Sequence, residues 1–124
     1  MDSAESGQVL RALYVVYSKP ADGTEDEFNK WYDEVHIPEH LAIAAGFDSA
    51  QRFQVARTQY GPDKPGDFSY LTVYEIDHDV DETFAAIDAA RKAGNLTPPP
   101  GRAAQTSALV WIPLGERAAR SQDK

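Results

Sequence analysis

Residues 31–40, WYDEVHIPEH, gather two aromatics, three carboxylates and two of the chain's three histidines. Within them, His36-Ile37-Pro38-Glu39-His40 spells H-x-x-E-H, a pattern that some zinc peptidases carry. Zinc hydrolysis needs both histidines on one helical face four residues apart, a third ligand and a carboxylate base. Pro38 stands between the histidines; it has no N–H to donate and its ring disfavours α geometry at Ile37. A helix through this stretch is therefore expected to stop or kink near His36. The third histidine, His78, is far along the chain. The letters fit a metal site but the expected mechanics do not, so no metal and no other cofactor is assigned.

Proton transfer asks for less. His36 follows Tyr32 by one helical turn and sits at the expected interruption. Asp33, Glu34 and Glu39 lie beside it in sequence, and any of them can orient an imidazole ring. An ordinary imidazole titrates near neutral pH, so either protonation state is available for chemistry. The plainer alternative is a helix-end histidine favoured by the negative end of the helix dipole. Tyr14 and Tyr74 fall on two apolar runs and suit a pocket lining, where a phenol can hold a carbonyl or enolate oxygen. Trp31 and Phe53 are expected to form an apolar wall, with Tyr32 and His40 as further substrate contacts. Arg52 lies in a more polar run, where it either holds an anionic group or projects into water.

Other chemistries lack their signatures. Gly61, Gly66 and Gly101 do not have the spacing of a phosphate-binding loop or a dinucleotide fold. Ser69 and Ser107 have no nucleophile elbow around them. Arg91 and Lys92 read as a solvated helix C-terminus. Twelve basic against twenty acidic residues give a formal charge of −8, which argues against nucleic acid as a partner. The chain has no cysteine, so disulfides, thiolate metal sites and cysteine nucleophiles are all excluded. No apolar run approaches the length of a membrane span. The opening residues MDSAESGQ are acidic and polar, unlike the front of a secretory signal, and a cytoplasmic location is expected.

The elements that must position these residues follow from local pattern. A chain of 124 residues is long enough for one domain. It is read as a single domain over 8–115 between flexible tails, 1–7 and 116–124. Residues 9–18, VLRALYVVYS, are apolar on both alternating faces and suit a strand covered on both sides. Thr24-Glu25-Asp26-Glu27 reads as a capping box, and Phe28, Trp31, Tyr32 and Val35 make the buried stripe of the helix that it opens. A second segment can restart at Pro38 and end at Gly46. Residues 47–57, 70–76 and 106–114 read as strands. Asp79 caps a helix striped by Val80, Phe84, Ile87 and Arg91 and stopped by Gly94.

The order is β-α-β-β-α-β, an α+β ferredoxin-like pattern with a four-stranded antiparallel sheet. Right-handed crossovers put the first and third strands in its centre. Two helices cover one face of such a sheet, yet the first and last strands are apolar on both. A second copy of the same sheet is the simplest cover, so a homodimer is expected.

Two stretches carry a family resemblance: 28–53, FNKWYDEVHIPEHLAIAAGFDSAQRF, and 70–77, YLTVYEID. They resemble the EthD-like group of dimeric α+β barrel proteins, in which a first strand leads to a helix carrying W-Y-x-x-x-H-x-P and then to a G-F strand. The resemblance implies a homodimer with facing sheets and a pocket in each subunit between sheet and helices. It carries the group's histidine onto His36 and the preceding aromatics onto Trp31 and Tyr32. Related barrels include cofactor-independent polyketide cyclases, muconolactone-type isomerases, aromatic-ring monooxygenases and dehydratases.

The resulting expectation is a small cofactor-independent enzyme of lyase or isomerase type. It would isomerise, cyclise or dehydrate a small cyclic or aromatic oxygenated metabolite. His36 is its acid–base group, oriented by Asp33 or Glu39, and Tyr14 or Tyr74 steadies the oxyanion. The alternatives are a cofactor-free monooxygenase acting on a phenol or anthrone, and a ligand-binding module without turnover.

Overall fold

The computed structural model describes residues 10–62, 68–101 and 104–121; the tail 1–7 and the end of the C-terminal tail lie outside them. Strand β1 (Ala12–Lys19) leads to helix α1 (Glu25–Trp31), a π-helical turn (Tyr32–His36) and helix α2 (Ile37–Leu41). Strands β2 (Ser49–Gln54) and β3 (Tyr70–Ile76), helix α3 (Val80–Lys92) and strand β4 (Gln105–Trp111) complete the βαββαβ order. The sheet is antiparallel with strand order β2-β3-β1-β4, so the first and third strands are central as expected. β4 ends before Pro113, which has no N–H for the ladder.

Pairing register decides which side chains meet the helices. Tyr14 lies opposite Tyr74 on β3 and Val110 on β4, and Ala50 of β2 lies opposite Tyr74. With side chains alternating along each strand, Ala12, Tyr14, Val16, Tyr74 and Ile76 share one face. There they pack with Phe47 and with Val80, Phe84 and Ile87 of α3. Phe28 and Tyr32 form a second cluster with Tyr70, flanked by Trp31 and Ile37. The other face carries Leu13, Val15, Tyr17, Leu71, Val73, Phe53, Leu109 and Trp111, with Leu109 57% and Trp111 50% exposed.

Three local expectations need correction. The Thr24 side chain does not cap α1; its hydroxyl donates to the Ala21 carbonyl at 2.7 Å and closes the preceding turn instead. The cap on α3 does form, with Asp79 accepting from the Glu82 N–H at 2.8 Å. Pro38 does not break the helix, because the chain widens ahead of it. The Ile37 N–H bonds five residues back to the Tyr32 carbonyl, and both His36 and Ile37 keep right-handed helical angles. A π turn absorbs the clash that the proline ring would make with the carbonyl four residues before it. α2 then ends at Leu41 rather than Ala45, and Ala45 takes the left-handed turn conformation at φ 64°. Gly46 supplies room rather than φ, since a Cβ there would lie 3.0 Å from the Ile43 carbonyl oxygen.

Candidate functional site

Between the sheet and the helices lies a cavity of about 330 Å³, within the usual range for small-molecule sites. β1 and β3 supply Tyr14, Val16 and Tyr74; the α1–α2 run supplies Phe28, Trp31, Tyr32, His36 and His40; Phe47 closes one side. Phe84, Ile87 and Arg91 of α3, with Pro99 and Thr106, complete the wall. The apolar surface is mostly aromatic. Tyr14 stacks on Phe47 at 5.7 Å between ring centres and meets Phe84 edge-on at 5.1 Å, while Phe47 stacks on Tyr74 at 4.2 Å.

The π turn decides how the histidines meet the cavity. The His36 ring packs 4.5 Å from Trp31, 4.6 Å from Tyr32 and 4.2 Å from His40, measured between centroids. His40 is buried, and its Nδ1 lies 2.9 Å from the His36 carbonyl oxygen. A carbonyl can only accept, so Nδ1 of His40 carries a proton. Withdrawal from water lowers the His36 pKa from 6.5 to about 4; His40 and Arg52 push the same way and Glu39 opposes them. At neutral pH His36 is therefore an uncharged imidazole with a free lone pair.

The tyrosines are its complement. Burial above all, then the Tyr32 hydroxyl against which it lies, raises the pKa of Tyr74; Tyr14 raises it further. Tyr14 is raised by burial and by Tyr32, with Arg91 opposing. Both phenols stay protonated at any working pH; the Tyr74 O–H is held by Tyr32, and a phenol O–H can turn to an oxygen placed among them.

Several expected contacts go elsewhere. Asp33 does not orient His36: its carboxylate accepts from Arg52 Nη1 at 3.1 Å. Nor does Glu39, whose two oxygens take the backbone N–H and the hydroxyl of Thr97 at 2.7 and 2.6 Å. That clasp fastens the loop after α3 to α2, and the Trp31 indole donates to the Thr97 carbonyl at 3.3 Å. Arg52 neither faces open water nor reaches the cavity. Its guanidinium lies 4.5 Å from the Tyr32 ring centre, donates to Asn29 at 2.8 Å and backs the π turn from outside. Phe53 is on the opposite face of the sheet, 44% exposed, beside Tyr17, Phe68 and Leu71.

His40 lines the cavity, where it is expected as a substrate contact; Phe47, Phe84, Ile87 and Arg91 line it too, without being expected there. For the α3 residues the sequence carries a signal, since Phe84, Ile87 and Arg91 share one helical stripe. Phe47 carries no such signal, because it precedes β2 and alternation along that strand says nothing of it.

Among the described residues, no third metal-ligating side chain joins His36 and His40. Asp48, Asp77 and His78 are the group close enough to hold an ion, and they do not line the cavity. In that group the His78 Nδ1 already lies 3.2 Å from Asp48, and its Nε2 lies 2.9 Å from the Ala45 carbonyl.

Comparison with known proteins bears on the fold. No family model matches the chain, and no curated protein matches it. An EthD-like protein from Ralstonia eutropha JMP134 superposes with a TM-score of 0.55 at 16% identity, over 90% of this chain and all of that one. The fold is EthD-like. An ethyl tert-butyl ether D (EthD) family protein from Bacillus halodurans C-125 also matches, at 18% identity and TM-score 0.47 over 89% of this chain and all of that one. Among the described residues, no helix is long and apolar enough to cross a membrane.

Proposed function

We propose that the chain is a small cofactor-independent enzyme that moves a proton on a cyclic or aromatic oxygenated metabolite, by isomerisation, cyclisation or dehydration. One observation carries the reading: an uncharged His36 faces an aromatic cavity that also presents protonated tyrosines. Neutral His36 takes a proton from carbon or oxygen of the substrate, and Tyr74, helped by Tyr14 and Tyr32, donates to the oxygen that becomes negative. A base of such low pKa is weak on its own. The imidazolium appears together with an oxyanion in the same water-poor cavity, and their attraction offsets the cost of charging a buried ring. Return of the proton to another atom of the substrate completes an isomerisation or expels a hydroxide as water.

The test is proton exchange. A panel of cyclic β-dicarbonyl and phenolic compounds is incubated in D₂O and followed by NMR, with wild type beside His36→Gln. A substrate of the wild type should lose roughly 10²–10⁴-fold in exchange rate in the variant. Exchange that persists undiminished in His36→Gln removes His36 from the role. Oxygen uptake on adding the same compounds would instead assign the base to an oxygenase.

The working form in this proposal is a homodimer in the cytoplasm. The half-exposed Leu109 and Trp111, on the sheet face that none of the described helices covers, support the dimer. Leu109→Glu should then shift the species measured by light scattering to the monomer mass. The cysteine-free sequence has no need of an oxidising compartment.

A further inference from the structure

The two ends of the cavity differ in charge. At one end His36, His40 and Tyr32 are grouped on the α1–α2 run. At the other, Arg91 continues the face of α3 begun by Phe84 and Ile87, since residues four and seven positions earlier lie beneath it. Among the described residues that line the cavity there is no aspartate or glutamate, and Arg91 is the permanently charged one.

The Arg91 side chain is 62% exposed although it lines the cavity, the arrangement of a stem packed on an apolar wall with its charge at the rim. Its field reaches Tyr14, whereas the charges that act on His36 are those of His40, Glu39 and Arg52. Arg91 bonds Asp88 through Nη1 alone, which leaves the rest of a five-donor fork. Lys92, the next residue on α3, is exposed and lines no part of the cavity. Both residues are solvated at the end of α3, but of the two Arg91 is the one whose side chain also lines the cavity.

We propose that the cavity mouth at Arg91 is a subsite for an anionic group, so that the substrate is a compact conjugated acid. Its ring lies on the aromatic wall, its carboxylate or equivalent oxyanion meets the Arg91 fork, and its proton-yielding atom points to His36. The inference rests on the small-molecule reading of the cavity given above. The chain's formal charge of −8 sharpens the requirement, because an anion entering an acidic protein needs a local cation at the door.

Two probes of one shape separate charge from fit: naphthoate and its neutral carboxamide, naphthamide. Binding is measured by calorimetry at low salt, and the Trp31 indole N–H resonance reports entry into the cavity. Wild type should bind naphthoate about tenfold more tightly than naphthamide, as expected for one partly exposed charge-assisted contact. Arg91→Gln should abolish that preference, read as the ratio of the two affinities within each protein; Arg91→Lys should keep part of it, and Lys92→Gln, outside the cavity, should keep all of it. Equal affinities in the wild type, or a preference that survives Arg91→Gln, overturn the anionic subsite and leave the cavity reading intact. Failure of both probes to perturb Trp31 overturns the two together.

Discussion

Lowering the pH should show whether the His36 environment is what the structure makes it. In the unfolded chain this imidazole titrates near 6.5, and in the folded protein near 4. A depressed pKa in a base means that the unfolded state binds the proton first. Stability from this residue is therefore complete above pH 6.5, falls as the pH drops below it, and levels off below about 4. At 1.36 kcal/mol per pH unit, the gap corresponds to about 3 kcal/mol, a ceiling because the ring keeps some access to water through the cavity. The assay is a pair of measurements. The His36 Hε1 shift, followed by NMR from pH 8 to 3.5, gives the folded value directly. Urea unfolding of wild type and His36→Gln at pH 7 and pH 4.5 gives the linkage, and the comparison cancels every other titrating group. The wild type should lose more stability than the variant on acidification, by about 2 kcal/mol at pH 4.5. A His36 titration between 6 and 7, with parallel losses in both proteins, would refute the argument. It would mean that the ring is solvated and that neutral His36 is not a product of burial.

Three further outcomes are expected. His40→Ala removes the ring that packs 4.2 Å from His36 and opposes its charging, so the His36 titration should move up toward 6.5 in the same NMR experiment, though not fully, because burial is the larger cause. His78 has its pKa raised, first by the bond to the Ala45 carbonyl and then by Asp77 and Asp48. Its contribution is present below pH 6.5 and lost as the pH rises through the raised value, so His78→Asn should reduce urea stability more at pH 6 than at pH 8.5. Ala45 bears a left-handed φ of 64°, and Ala45→Gly should raise the thermal midpoint by relieving about 1 kcal/mol of backbone strain. An unchanged or lowered midpoint would place the strain elsewhere.

Much of the framework was legible because it is written in local pattern. The alternation in YLTVYEI, the stripe of Phe84, Ile87 and Arg91, and the Asp79 cap each need only neighbours within a few residues. They gave the βαββαβ order, and handedness placed β1 and β3 in the centre. His36 stands out in the sequence itself, by its type and its aromatic neighbours Trp31 and Tyr32.

What the chain could not declare locally was settled by packing. Phe53 is as aromatic as Phe47, but β2 pairs with β3 so that Phe53 lies opposite Leu71 and points away from the cavity. A register shift of one residue would have reversed this, and nothing within a polar edge strand fixes it. Arg52 turns inward because Tyr32, Asn29 and Asp33, from another element, together receive its charge. Pro38 is the clearest case. Sequence alone dictates that the proline cannot complete an α-helical ladder. Only the tertiary structure decides between breaking the helix and widening it, because the Tyr32 and His40 rings bury against the sheet when the helix continues. The widened turn sets the two histidines against each other, and burial makes His36 the neutral base on which the proposed chemistry rests.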